Sequence, residues 1–455
     1  MPSPVIGSSI FGELCSTQEM CDIFSDRNMV QTYLNVEAAI ARVQGNLGII
    51  PEKAALEIVQ RCRVETIDMA KLGARTGIVG FPIVGLVEQL VAACSDGWGE
   101  YAHWGATTQD IMDTADVLQF QDALKVLERD LDAVADQLVE IAKAHRDTVM
   151  VGRTHIQHAL PVTFGYKAAV WLSSIDRHRK RLVELRPRLL VGQFSGAVGT
   201  LASLGDRGLE MQDALMDELG LGRPDITWHS ARDSIAEVTG FLALVTGTLG
   251  KIGLDVILMS VTEVDEVKEP FVPGRGSSST MPQKRNPVMS EMLVAIAKNV
   301  RQLHGTILDA MLNDHERGGA GPWQTEWPAL PNAFILTGAA LKHALELLGG
   351  VEVGRQRMRD NLGSTSGMIS AEAVMMKLAP LMGRQRAHDV VYDCCREVER
   401  ERISFLDALS KNSEIAAVAE RDALAAMVDP TNYLGTATRM IDRLLVARAE
   451  TACSH

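Results

Sequence analysis

Val117-Leu118-Gln119-Phe120-Gln121-Asp122-Ala123-Leu124-Lys125-Val126-Leu127 begins the stretch whose reading decides the fold, and its apolar spacing continues through Leu131, Val134, Leu138 and Ile141. The steps alternate between three and four residues with charges between them, so one apolar seam follows a single long helix. Similar long patterns run from about Val162 to Leu185, Ala231 to Ser260, Val288 to Leu312 and Leu330 to Leu348. Helices of this length with one apolar face must bury it against one another, which predicts an all-α fold around a long central helix bundle. Gly and Pro clusters at 73–85, 220–224, 270–287 and 349–354 interrupt the periodicity. They divide the chain into an N-terminal helical domain over 1–109, a central bundle over 110–353 and a C-terminal helical domain over 354–455. Strand alternation is scarce.

Composition excludes several functions. Forty-five basic residues against fifty-eight acidic ones leave a net charge of −13, which repels nucleic acid and anionic membranes. The most basic run, Arg177-His178-Arg179-Lys180-Arg181, lies in a helical pattern followed by Glu184 and reads as a solvated face. Met1-Pro2-Ser3-Pro4-Val5 has no basic segment leading into an apolar one, and the most apolar later stretch, Phe241 to Val261, is broken by Lys251 and Asp255. Neither export nor membrane spanning is expected. The seven cysteines are odd in number, and Cys394-Cys395 are adjacent. Reduced thiols in a cytoplasm, with no metal site or other cofactor, are expected.

Four segments could carry chemistry. His103-Trp104-Gly105-Ala106-Thr107-Thr108-Gln109-Asp110 stands at the mouth of the long helix. Thr107, Thr108 and Asp110 are helix-capping types, and a helix start also offers free amides to an anion. Gly152 to Thr163 holds Thr154, His155, Gln157 and His158; a lone histidine is more often structural, but the polar neighbours here favour a site. A glycine and serine tract from Gly274 reads as a flexible loop, yet it leads into Met281-Pro282, then Lys284, Asn286 and Pro287, and a helix carrying Glu291. His315-Glu316-Arg317 lies between two helical patterns, where a surface ion pair is the plain alternative.

Ser278-Ser279-Thr280-Met281-Pro282-Gln283-Lys284-Arg285-Asn286-Pro287 resembles the signature of the fumarase/aspartase superfamily. The first two segments resemble that superfamily's other two conserved regions, in order, so the resemblance spans essentially the whole chain. Phe24-Ser25-Asp26-Arg27, Trp228-His229, Arg232-Asp233 and His315-Glu316-Arg317 are most similar to the 3-carboxy-cis,cis-muconate cycloisomerase branch. One departure is Ser277, at a position usually held by glycine, where loop flexibility is expected to change slightly.

The resemblance implies a metal-free β-elimination. Ser278 is the implied base, with its alkoxide stabilised by loop amides and nearby cations. Lys284 and Asn286 are implied to hold the substrate carboxylate that gains charge in the transition state, while His155, oriented by Glu291, protonates a leaving nitrogen. His103, Thr107, Thr108, Thr154, Gln157, Ser279, Met281 and Arg317 complete the implied binding set. Cycloisomerases of this superfamily generally replace the His155 and Glu291 pair, so its presence favours carbon-nitrogen cleavage of an N-substituted aspartate such as iminodisuccinate, releasing fumarate. Adenylosuccinate fits less well, because Trp323 to Leu330 lacks the serine and arginine pattern for a nucleotide phosphate. The alternatives are the cycloisomerase reaction and, in another class, an inactive structural protein on the same scaffold. The implied substrate is a small anionic dicarboxylate, and the implied assembly is a homotetramer whose active sites are each shared between three chains.

Overall fold

The computed structural model describes residues 5–317 and 319–452. Among them run nineteen α-helices and two two-stranded sheets, the all-α architecture that the periodicity predicts. The decisive stretch lies in helix Thr108–Ala144, 37 residues long. Val117, Leu124, Leu131, Val134 and Leu138 are fully buried along its seam, and Phe120 stacks on Phe334 at 5.0 Å. At about 1.5–3 kcal/mol for each large apolar side chain removed from water, this seam is a principal source of stability.

The other periodic stretches are helices Phe164–Leu189, Asp233–Ser260, Val288–Ala310 and Pro322–Leu348. The last starts at Pro322 rather than near Leu330, and Pro328 and Pro331 lie inside it. Two anchors hold these early turns helical despite the missing amide donors. Trp323 and Trp327 pack edge to face at 5.3 Å, with Phe81 stacked on Trp323 at 5.6 Å. Between the two tryptophans, Glu326 accepts from buried Arg232 at 3.0 Å.

The chain forms two compact units. The first comprises Met1–Asp132, Arg177–Gly250 and Met292–His343, and the second Ala133–Asp176, Lys251–Glu291 and Ala344–His455. Division at sequence breaks cuts along the chain, whereas each compact unit is assembled from three separated segments. In the first unit, helix Asp26–Asn46 is capped by Ser25, whose hydroxyl accepts from Asn28 N at 3.2 Å. The second unit holds a small satellite core of Val374, Leu378, Val390, Phe405 and Leu409, and also a hairpin that helical periodicity does not reveal. Its strands β1 (Val149–Thr154) and β2 (Gln157–Thr163) pair antiparallel with a bulge between Val151 and Arg153.

Helix Asp233–Ser260 is long and apolar enough to cross a bilayer, and half of its most apolar window is buried within the fold. Lys251 and Asp255, which break that stretch in sequence, form an ion pair, and Asp255 also accepts from Trp171 Nε1 at 2.8 Å. The helix leaves Leu244, Leu254 and Leu258 about half exposed.

Arg232 is fully enclosed and is bound by Asp113 at 2.9 and 3.1 Å as well as by Glu326. Burial, followed by Asp113 and Glu326, raises the Asp116 carboxyl well above the usual carboxylate range. Replacing Arg232 with Met strands Asp113 and Glu326 without their counter-ion and is expected to cost about 3–5 kcal/mol. Urea unfolding checks this, and a variant as stable as the parent would show that the cluster does not hold the bundle together.

Candidate active site

The His103 to Asp110 segment belongs to the first unit. Asp110 is completely buried in the first turn of helix Thr108–Ala144. Its Oδ2 accepts from Thr107 N at 3.0 Å and Gly196 N at 2.9 Å, while Oδ1 accepts from Ser195 N at 3.0 Å and lies 2.7 Å from His229 Nε2. Gln109 Nε2 donates to the His229 carbonyl at 2.8 Å. The capping role expected of Asp110 is therefore part of a larger lock that includes His229.

This lock positions the neighbours of Asp110. Arg317 Nη1 donates to the Thr107 hydroxyl and also reaches the Ala197 carbonyl at 3.4 Å. His103 takes a left-handed backbone, with φ of 58°. Its Nδ1 lies 2.6 Å from Oε1 of the fully enclosed Glu37, whose Oε2 has no hydrogen-bond partner among the described residues. Burial disfavours the His103 imidazolium, but Glu37, by charge and hydrogen bond, and then Asp110 overcome it and raise the His103 pKa. His103 and Thr108 together line a cavity of about 430 Å³ walled by Ile83, Val84, Val87 and Val91. Thus His103 and Thr108 share one cavity, and Thr107 meets Arg317.

In the second unit, His155 and Ile156 form the tip of the β1–β2 hairpin, with φ of 51° and 65°. Two consecutive positive φ values are the signature of a type I′ turn, which favours Asn-Gly. A β-branched residue in this region is a true outlier, and such strain concentrates at functional sites. Thr154, His155 and Gln157 are exposed, and the His155 ring has no hydrogen-bond partner among the described residues. Below the tip, Arg153 clamps Glu266 through two 2.8 Å bonds, and Glu266 also accepts from Asn361 at 2.8 Å.

The signature loop, also in the second unit, is closed at its base. Asn286 donates twice to the Gly276 carbonyl, from its backbone and from Nδ2, each at 2.9 Å. Arg285 bonds the Glu269 carbonyl and pairs with Glu352 at 2.7 Å. Gly276 has φ of +68°, and a Cβ there would lie 2.3 Å from the Asn286 carbonyl oxygen. Glycine is therefore required at 276, whereas Ser277 takes an ordinary negative φ. The backbone at 277 therefore does not itself demand glycine.

Inside the loop, the Ser278 hydroxyl accepts from Met281 N at 3.1 Å and Thr280 N at 3.3 Å. Ser279, Met281 and Lys284 are exposed, and Lys284 enters no ion pair among the described residues. Helix Val288–Ala310 is capped by buried Glu269, which accepts from Ser290 N and Oγ, both at 2.7 Å. Glu291 is exposed in its first turn. No hydrogen bond joins His155 to Glu291 or to Ser278 within the one chain. Arg153, Glu266 and Glu269, which support the hairpin and loop, were not identified from sequence, because each pairing joins residues far apart in the chain. Among the described residues, no group of three or more His, Cys, Asp or Glu side chains is placed to hold a metal ion.

Two family models match this chain: Lyase over residues 14–302 and Adenylosuccinate lyase C-terminus over 367–444. The chain is 49% identical to trans-aconitate decarboxylase 1 of Mycosarcoma maydis, covering 96% of this chain and 88% of that protein. It is 44% identical to the 3-carboxy-cis,cis-muconate cycloisomerase of Pseudomonas aeruginosa, covering 97% of each. The crystal structure of a fumarate lyase from Mesorhizobium sp. BNC1 superposes with a TM-score of 0.90 at 48% identity, covering 97% of this chain and 99% of that one.

The raised pKa of His103 has a direction that can be tested. Its ion pair with Glu37 is at full strength below the ordinary histidine value and is lost as pH rises through the raised one. Substituting Glu37→Gln removes the first stabilising charge, so the His103 midpoint in an NMR titration is expected to fall. A midpoint unmoved by Glu37→Gln would show that Glu37 does not set the charge of this ring.

Proposed function

This chain belongs to the Lyase family of the fumarase/aspartase superfamily, and from that premise we propose that it cleaves a carbon-nitrogen bond in an N-substituted aspartate, releasing fumarate. The observation that carries this reading is the Ser278 hydroxyl, which faces two loop amides. A free serine hydroxyl is too weak an acid to ionise near neutrality. Two N–H donors aimed at its oxygen stabilise the alkoxide and make Ser278 a credible base.

In the proposed step Ser278 takes the proton from the carbon beside a carboxylate, the carbon-hydrogen electrons become the new double bond, and the carbon-nitrogen bond breaks. His155, supported by Glu291, gives a proton to the departing nitrogen. Lys284 and Asn286 hold the carboxylate on which charge accumulates. Asn286 spends one amide hydrogen on Gly276 and keeps the other for substrate. His103, Thr107, Thr108 and Arg317 form the proposed second anchor, and Thr154, Gln157, Ser279 and Met281 complete the enclosure.

A second reading, the cycloisomerase reaction on a carboxymuconate, is favoured by the 44% identity to such an enzyme. The presence of His155 and Glu291 supports elimination instead, because an amine needs an acid to leave and a lactone carboxylate does not. We also propose a homotetramer in which three chains contribute to each site. The half-exposed Leu244, Leu254 and Leu258 on one helix support it, as does the lack of any bond between His155 and Ser278 in a single chain. The six described cysteines are free, in keeping with the proposed cytoplasmic location.

Ultraviolet detection of fumarate with a panel of N-substituted aspartates, iminodisuccinate among them, tests the substrate reading. Failure across the panel combined with lactonisation of a carboxymuconate would overturn it in favour of the cycloisomerase. On the working substrate, Ser278→Ala is expected to lower kcat by about 10²–10⁴-fold, and unchanged turnover would remove Ser278 as the base. Mixing His155→Ala and Ser278→Ala proteins under subunit exchange should restore part of the activity. Complete absence of restoration, with exchange verified by mass, counts against shared sites.

A further inference from the structure

Outside the candidate site, the second unit contains a cavity of about 700 Å³ where helix Thr108–Ala144 ends, beside the root of strand β1 and helix Arg355–Leu362. Its size falls in the range of small-molecule sites. Val149, Leu362, Ile369, Val428 and Pro430 form apolar walls, while Lys143, Arg146, Arg355 and Arg359 supply four cations against two lining acids, Asp147 and Asp429.

The four cations are not equivalent. Lys143 pairs with Glu140 at 3.0 Å, and Arg146 is neutralised by Asp147 at 2.9 Å and Asp442 at 2.7 Å. Arg355 and Arg359 enter no ion pair among the described residues; Arg355 Nη2 donates only to the Ala144 carbonyl at 3.1 Å. Asp429 turns back on its own chain, accepting from Thr431 N at 2.9 Å and Oγ1 at 2.7 Å. Arg355 and Arg359 stand four residues apart on one helix, an arrangement of like charges that costs stability unless an anion lies between or above them. The field of Arg355 is already felt nearby. Burial first, and the Arg355 charge second, lower the pKa of His145.

We propose that this cavity binds a small organic dianion with an apolar body, its phosphate or paired carboxylates held by Arg355 and Arg359 and its hydrocarbon part against the Leu362 and Ile369 wall. Guanidinium groups suit this task because each offers two parallel donors to one oxyanion group. The apolar wall adds affinity that a bare inorganic ion cannot gain.

Calorimetry on the full chain with three probes tests the site: phenyl phosphate, phthalate and inorganic phosphate. Saturable binding of phenyl phosphate or phthalate, tighter than that of inorganic phosphate, is expected, and the stronger of the two identifies the preferred anion. The Arg355→Gln, Arg359→Gln double variant should weaken that binding by roughly tenfold or more, the effect of losing charge-assisted hydrogen bonds. Glutamine at 355 retains a donor for the Ala144 carbonyl. The single variant Arg359→Glu, at an exposed side chain with no hydrogen bond among the described residues, should also weaken binding without lowering the melting temperature, because it replaces a like-charge pair with an opposite one. Ser278→Ala and Lys284→Ala should bind the probe as the parent does. The proposal is overturned if no probe saturates, if the arginine variants bind unchanged, or if the Lys284 variant alone abolishes binding, which would assign the probe to the loop.

Discussion

A carboxylate removed entirely from water is tolerated only when its lone pairs are filled, and Asp110 meets that condition with four donors from three separate stretches of chain. An isolated charge at such depth costs several kcal/mol, so its donors cannot drift without exposing that penalty. The head of the long helix is thereby fixed to the 195–196 turn and to His229. Arg232 repeats the logic one turn further along, joining Asp113 to Glu326. These buried polar groups set where Thr107 and Arg317 meet, whereas the apolar seam alone would leave the helix free to slide along its axis.

The loop and the hairpin are held by a different principle. Neither is fastened through buried side chains at its tip; each is anchored at its root and left exposed at its working end. Gly276, Asn286, Arg285 and Glu352 close the loop base, leaving Ser278 to Lys284 as a segment with fixed ends. Arg153 and Glu266 do the same for the hairpin below His155. Such construction preserves local geometry at the serine, where two amides face one oxygen, while allowing the segment to move as a piece.

Much of this was legible in the sequence because helical periodicity is a local signal. The five long patterns from Val117, Val162, Ala231, Val288 and Leu330 each fall on a long helix, with ends shifted by a few residues in most cases; Val162 itself belongs to strand β2 and Ala231 precedes its helix. The start at Pro322 is not legible locally, because prolines at 328 and 331 disfavour a helix interior and the compensating Arg232 lies some ninety positions upstream. The hairpin was hidden for a related reason. His155-Ile156 carries no turn-forming residue, and the clamp that sustains its strained backbone is distant in sequence. The sequence shows that Ser277 stands where glycine is usual, but the close approach to the Asn286 carbonyl that requires glycine at 276 involves a residue ten positions on. The signature marked which residues matter but not which backbone bond enforces the loop's shape.

The exposure of the proposed acid and base carries its own argument. His155, Lys284 and Glu291 all face outward without ionic partners among the described residues, and Ser278 is only partly covered. In open water a serine alkoxide is not accessible near neutral pH, and a lysine charge separated from substrate by solvent is screened to a small fraction of its strength. Elimination at such groups therefore requires that water be displaced by something beyond the single described chain, whether substrate beneath the loop or the surface of another copy. Leu244, Leu254 and Leu258 offer an apolar face suited to the second of these. In the proposed assembly, the incomplete surroundings of His155 and Ser278 and the half-exposed leucines would have one cause, since both would be covered when copies of the chain associate.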